Sequence, residues 1–171
     1  MTSVTPSPSA FHLRPAAAPD IPIILRCIQG LAEYERLAHE CEASEALLEE
    51  SLFGSSPAAE VILAFAGDAP AGFALWFPSF STFLARPGIY LEDLFVFPEF
   101  RGQGLGRLLL ASLAQTAIER GYGRLEWAVL DWNVDAIRFY KSLGARSMDE
   151  WTTNRVTGVA LVALAGGAAK Q

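Results

Sequence analysis

The sequence predicts an α+β fold, an α/β sandwich in which a mixed, mostly antiparallel central sheet carries helices on both faces. Three observations predict it. Two apolar runs, 60–66 and 71–77, are joined by Gly67-Asp-Ala-Pro70, a hairpin signal that makes them antiparallel neighbours. A third run, 90–96, feeds a glycine-rich turn that opens a long helical pattern. Helical periodicity precedes the hairpin, and strand and helix patterns follow it, giving the order β-αα-βββ-α-β-α-ββ. An antiparallel hairpin in the first half is inconsistent with a doubly wound dinucleotide fold.

The elements follow in order. Residues 1–10, rich in Ser, Thr and Pro, read as a disordered tail. A short strand is expected at 11–14. Pro19-Asp20 opens a helix to about residue 37, with Ile21, Ile24, Leu25, Ile28 and Leu31 at helical spacing. Ser44 caps a second helix that ends by Gly54. The strands 60–66 and 71–77 follow, then an aromatic-rich loop over 78–88 and the strand 90–96. A helix over 104–120 buries Leu105, Leu108, Leu109, Leu113 and Ala117 on one face and stops at Gly121. A strand at 124–130, a helix at 134–143 and two last strands at 145–148 and 155–164 complete the domain, which spans 11–165. A small-residue tail, 166–171, closes the chain.

Composition bounds the function. Of 171 residues, 51% are hydrophobic and 19% charged, as expected of a soluble globular domain with a substantial core. The net charge of −6 argues against nucleic acid as a partner and favours cations. Seven of the glutamates fall within 33–50 against one arginine, Arg36. Most of them read as a solvated helix surface, with Tyr34 and Glu35 as candidates to line an entry for a cationic substrate. Two cysteines, Cys27 and Cys41, make no disulfide framework or metal cluster and read as inert helix residues in a reducing cytoplasm. His12 and His39 have no sequence partners that point to a metal or a nucleophile. The N-terminus lacks the basic and apolar regions of a signal peptide, and the apolar run 159–165 is too short to span a bilayer, so no membrane is expected.

The stretch 90–107, YLEDLFVFPEFRGQGLGR, organises the chemistry. Arg101-Gly-Gln-Gly-Leu-Gly106 places three glycines at alternate positions before a helix. Backbone N–H groups exposed at such an N-terminus bind anions, and a Cβ there would hold a phosphate away from the backbone. The spacing is neither G-x-G-x-x-G nor a P-loop. Glu92 and Asp93 sit in the strand that feeds this turn. Alternation sends neighbouring strand residues to opposite faces, so the two share one site only if a bulge intervenes.

These residues resemble the GNAT superfamily of acyl-CoA-dependent N-acetyltransferases. The glycine turn matches the family's Q/R-x-x-G-x-G/A motif, 90–96 matches the strand before it, and Asp131-Trp-Asn133, Phe139-Tyr-Lys141 and Leu143-Gly-Ala145 match the next motif. Within the superfamily the chain looks most like the spermidine/spermine (diamine) acetyltransferase group. Its phrase Ala128-Val-Leu-Asp-Trp-Asn133 looks closest to the thialysine-acetylating branch. The resemblance covers about 11–164, including Leu31-Ala-Glu-Tyr-Glu35.

The resemblance implies an acetyl-CoA-dependent transfer to a primary amine of a small cation, whether diamine, polyamine or lysine-like. Backbone groups of Leu94, Phe95 and Val96 would pair with the pantetheine arm. Amides from Gly102, Gln103, Gly104, Leu105 and Gly106 to Arg107, with Arg101 before them, would cradle the pyrophosphate. Asn133 and Lys141 would also contact the cofactor, and a homodimer with the C-terminal strands at its interface is implied. The chemistry needs two proton movements. An alkyl amine, with a pKa near 10.4, must lose a proton before it attacks, and Glu92 is the candidate base. Tyr140, at the position of the family's tyrosine, is the candidate acid for the thiolate and also lies against the cofactor. Tyr34, Glu35, Glu92 and Asp93 are the candidate substrate-binding residues. Ser142 stands where relatives often carry a basic residue. The stretch 80–88, with Thr82 and Leu84, lacks a charge for a second ammonium, which favours a shorter amine. No cysteine lies in the motif region to carry the acetyl group, so direct attack in a ternary complex is expected. A protein or peptide acetyltransferase and a non-catalytic CoA-binding module are the alternatives.

Overall fold

A computed structural model describes residues 11–167. The expected N-terminal tail, 1–10, and most of the C-terminal one lie outside the described residues. The chain divides after Ala128 into two compact units.

The first unit holds a five-stranded sheet, β1 (Phe11–Pro15), β2 (Glu60–Ala66), β3 (Ala69–Ser81), β4 (Arg86–Val96) and β5 (Leu125–Trp127), in that spatial order. Pairing is antiparallel from β1 to β4 and parallel between β4 and β5. Three helices belong to this unit: α1 (Ile21–Tyr34), α2 (Glu45–Phe53) and α3 (Leu105–Glu119). Ser44 caps α2 as expected, its Oγ accepting from the Leu47 amide. Ile21, Ile24 and Cys27 of α1 and Leu48 and Leu52 of α2 form one core cluster with Val61, Leu63, Phe65, Phe73 and Phe95 of the sheet. Leu105, Leu109, Leu110, Leu113 and Ala117 of α3 are buried as well, and α3 packs on β2 to β5. Ala74, Trp76, Ile89 and Leu91 are buried but stand outside the α1–α2 cluster. The central strands β2, β3 and β4 thus bury residues on both faces, which is why these runs read as nearly continuous apolar sequence.

An ion pair pins the entry to α1. Arg14 donates from both Nη atoms to Asp20, at 2.6 and 2.8 Å, and the Ala17 amide donates to the same carboxylate at 2.8 Å. The Arg14 hydrogen bond holds the buried Asp20 carboxyl below its ordinary pKa. A depressed carboxylate stabilises the fold above its unfolded pKa and loses that stabilisation as pH falls. Asp20→Ala is therefore expected to cost about 1–3 kcal/mol at pH 7 and far less near pH 3, as read from urea unfolding at the two pH values.

Three expectations are corrected. The loop expected at 78–88 is mostly hairpin: β3 runs on to Ser81 and β4 starts at Arg86. Past Trp76, β3 has lost its β2 partner and is an edge on that side, so Pro78 needs no N–H for the ladder. The strand expected at 124–130 pairs over only three residues, Leu125–Trp127. The last two strands do not form among the described residues. The second unit contains α4 (Val134–Ser142) and, in place of a strand at 155–164, the helix α5 (Gly158–Gly167). No described strand lies beyond β5, and a segment without a ladder partner can pair its peptide groups internally as a helix. The Ala- and Leu-rich run GVALVALAGG suits that, and a short apolar run is ambiguous between the two states.

Candidate active site

Gly104 is the N-cap of α3 and takes the left-handed conformation, φ +85°; Gly102 does the same at +72°. A Cβ at either would meet no protein atom within 4 Å. Internal packing therefore does not demand glycine here. The positive φ does, and so would a ligand that must approach the backbone. No side chain caps this helix, and the amides of its first turn have no intrahelical acceptors. Its free amides are donors that could hold an anion such as a pyrophosphate.

The strand before it opens in the way a pantetheine arm needs. β4 pairs with β5 only at Ile89–Leu125, Tyr90–Glu126 and Leu91–Trp127. Leu94, Phe95 and Val96 keep their β3 partners, Ala74, Phe73 and Gly72, but have no ladder partner on the β5 side among the described residues. That edge can accept another chain of amides in β-like fashion. These two features fit CoA.

The bulge that the acidic pair required is present. Leu75 pairs with Asp93 and Trp76 with Leu91, which leaves Glu92 as the extra residue. Its effect shows in burial. Ile89 and Leu91 are buried outside the α1 cluster, whereas Phe95 belongs to that cluster and Asp93 lines a cavity with α1. The bulge has changed which face the chain presents. Glu92 itself is exposed. Burial, with the charges of Glu92 and then Glu35 adding to it, pushes the Asp93 carboxyl up to about 6.

The cavity holding Asp93 has a volume of about 210 Å³ and is also lined by Glu35, Glu40, Leu31, Leu37 and Cys41. Its far wall exists because α1 stops early. Arg36 takes a left-handed φ of +64°, the Leu37 amide donates to Ala32 at 2.8 Å and the Arg36 amide to Glu33 at 3.1 Å. This Schellman closure ends α1 at Tyr34, short of the expected residue 37, and sends 37–41 back over the opening. Burial raises the Glu35 carboxyl as well. Cys41 is not a helix residue as expected: it follows the 3-10 turn Ala38–Glu40 and faces this cavity. Cys27 lies in the α1 core, where burial pushes its thiol up to about 12 and keeps it unreactive.

Tyr34 and Glu35 part company. Glu35 lines the acidic cavity, and Tyr34 lines a second one of about 480 Å³ with Phe95, Phe97, Arg26 and Arg101. Arg101 lies over the Tyr34 ring at 4.9 Å and donates from Nε to the Val96 carbonyl at 2.9 Å. Arg26 and Glu40 were not singled out in the sequence. Arg26 shares a helix face with Gln29, Gly30 and Glu33, a 3.6-residue spacing that was visible; Glu40 was one of seven glutamates with nothing to orient it.

Asn133, Tyr140 and Lys141 all belong to the second unit. Asn133 is the N-cap of α4, its Oδ1 accepting from the Ala136 amide at 3.3 Å. Tyr140 is half-buried beside Phe139, with ring centroids 5.4 Å apart, and Lys141 is exposed in the last turn. Among the described residues no group of three or more His, Cys, Asp or Glu side chains could hold a metal ion, and no helix is long and apolar enough to cross a membrane.

Comparison with known proteins finds relatives along most of the chain. A thialysine N-epsilon-acetyltransferase of Mus musculus is 38% identical to the chain, covering 92% of it and 99% of the relative. An L-ornithine N5-acetyltransferase of Arabidopsis thaliana is 34% identical, covering 95% and 91%. Among solved structures, an integron cassette protein from the mobile metagenome of V. cholerae superposes with a TM-score of 0.78 at 29% identity, covering 91% of this chain and 98% of that one. Residues 27–145, from α1 through α4, match the model of the acetyltransferase (GNAT) family, and the chain belongs to that family.

Proposed function

We propose that this N-acetyltransferase moves an acetyl group from acetyl-CoA to the primary amine of a small cation by direct attack in a ternary complex. The catalytic domain, 11–165, takes in both compact units, as the family match across 27–145 supports. One observation carries the reading of the acceptor: Asp93, turned by the bulge into a cavity with Glu35 and Glu40, meets no basic side chain among the described residues that line it. Three carboxylates attract an ammonium, and a space of about 210 Å³ takes a short alkyl chain. The named relatives act on thialysine and L-ornithine, which are small amines too.

Asp93 is the better base of the acidic pair. An ordinary carboxylate is too weak to take a proton from an ammonium, and the rise to about 6 narrows that gap. Glu92, the base expected from the sequence, acts beside it: its charge helps keep the Asp93 proton affinity high. Glu35 and Glu40 hold the substrate's positive charge. Acetyl-CoA supplies the acetyl group as an activated thioester. The cradle amides from Gly102 to Arg107 hold its pyrophosphate, the open edge at Leu94, Phe95 and Val96 holds its pantetheine, and Asn133 and Lys141 add contacts. Tyr140 Oη delivers a proton to the thiolate that leaves as the C–S bond breaks, giving the free thiol of CoA. Tyr140→Phe is expected to lower turnover by about 10²-fold or more and leave CoA affinity within a few-fold of wild type. Unchanged turnover in steady-state assays removes Tyr140 as the acid.

The same reading places the protein in the cytoplasm as a homodimer. Val159, Leu161, Val162 and Leu164, exposed on α5, give such a dimer apolar surface to bury, as a helix and not as the strands first expected. Light scattering on the purified chain reads the assembly. Thiol release from acetyl-CoA across diamines, ornithine, lysine analogues and lysine-containing peptides tests the function. Turnover with short amines supports it, and turnover with peptides alone moves the assignment to a peptide acetyltransferase.

A further inference from the structure

The cavity of about 480 Å³ between α1 and the end of β4 carries two guanidinium groups, from Arg26 and Arg101, with one carboxylate, Glu33, on its wall. Both guanidiniums are held by aromatic faces. Arg26 lies over Phe97 at 5.4 Å, and Arg101 lies over Tyr34 at 4.9 Å and Phe95 at 5.5 Å. A cation–π hold orients a guanidinium without using its N–H donors. Among the described residues only Arg101 Nε is engaged, by the Val96 carbonyl. The ion pairs found among the described residues pair Arg14, Arg120, Arg124 and Arg138 with carboxylates, and neither Arg26 nor Arg101. In a chain of net charge −6, two oriented guanidiniums without a carboxylate partner, in one cavity, are matched to an anion that accepts two parallel hydrogen bonds.

The place of this cavity says which anion. Its wall includes Phe97, Pro98 and Arg101, and the next residue, Gly102, begins the cradle. An anion held here lies alongside whatever the cradle amides hold. We propose that Arg26, reaching from α1, joins Arg101 in binding a phosphate group of the acyl donor. This assigns α1 a part in holding the donor as well as the amine: Arg26 and Tyr34 face the phosphate-side cavity and Glu35 the amine cavity. The inference rests on acetyl-CoA being the donor. Two phosphate sources share this chemistry, the 3′-phosphate of the ribose and the pyrophosphate bridge.

Calorimetric titration of the full chain with CoA and with dephospho-CoA, at two salt concentrations, tests it. Arg26→Gln, at an exposed position that leaves the α1 core intact, is expected to weaken CoA binding by about 10- to 100-fold and to flatten its salt dependence. Arg26→Lys keeps the charge, loses the planar fork and recovers only part of the affinity. If the loss disappears with dephospho-CoA, the partner is the 3′-phosphate; if it persists, the partner is the pyrophosphate. Wild-type affinity and salt dependence for both ligands in a folded Arg26→Gln protein overturns the proposal and leaves the acetyltransferase reading standing. A wild-type chain that binds neither ligand overturns both.

Discussion

Asp93→Asn lowers kcat/KM by about 10²- to 10⁴-fold and at the same time makes the folded protein more stable above pH 6. Both effects come from one circumstance. The bulge at Glu92 buries the Asp93 carboxyl next to two other carboxylates and pushes its pKa up to about 6. For catalysis the group must be ionised, so wild-type kcat/KM falls as pH drops through about 6. An ammonium bound in the cavity favours the ionised form, so the same limb in kcat lies at lower pH. For stability the sign is the reverse of the Asp20 case. A carboxyl whose folded pKa lies above its unfolded value favours the fold while protonated, and that advantage is lost as pH rises through the folded value. Asparagine carries no charge, and the substitution is expected to add about 1–3 kcal/mol at pH 8 and nothing near pH 4, read by urea unfolding. Glu92→Gln separates the pair. It removes a neighbouring negative charge, lowers the Asp93 pKa and moves the acid limb to lower pH with a modest change in rate. A large loss at Glu92 with little at Asp93 would restore Glu92 as the base.

Gly104→Val abolishes CoA binding, with an affinity loss of at least about 100-fold, the order expected when two or more charge-assisted hydrogen bonds are lost. The control is Gly121→Val at the C-terminal end of the same helix. Both glycines have positive φ, +85° and +69°, and a Cβ at either meets no protein atom within 4 Å. Backbone strain therefore costs both variants a similar amount, on the order of 1–3 kcal/mol. Only at Gly104 does the new side chain stand over the helix N-terminus. Calorimetry on the two folded variants reads the difference. Equal CoA affinity in both removes the cradle from its assigned role.

The glycine turn and its helix were legible because their signals are local. A glycine at a left-handed N-cap and a leucine face at helical spacing are written within a few residues of where they act. Ser44 and the Gly67 turn were legible for the same reason. What escaped depends on partners distant in sequence. That Glu92 is the bulged residue, and Asp93 the one turned into the cavity, is a fact of β3–β4 register, and 90–96 alone cannot express it. Pro78 read as a loop residue because its tolerance depends on β2 ending opposite Trp76. The fates of Tyr34 and Glu35 were set by Arg36, a non-glycine residue at positive φ that no propensity flags. At 155–164 the pattern carried both β-branched and helix-forming residues, and the missing ladder partner decided for the helix.

The most direct test is the initial rate of CoA release as acetyl-CoA and a short diamine are varied together. Direct transfer in a ternary complex predicts saturable release, an N-acetylated diamine as product and double-reciprocal lines that intersect. Parallel lines, which require an acetylated enzyme, or no release with any small amine from a protein that binds acetyl-CoA, contradict it.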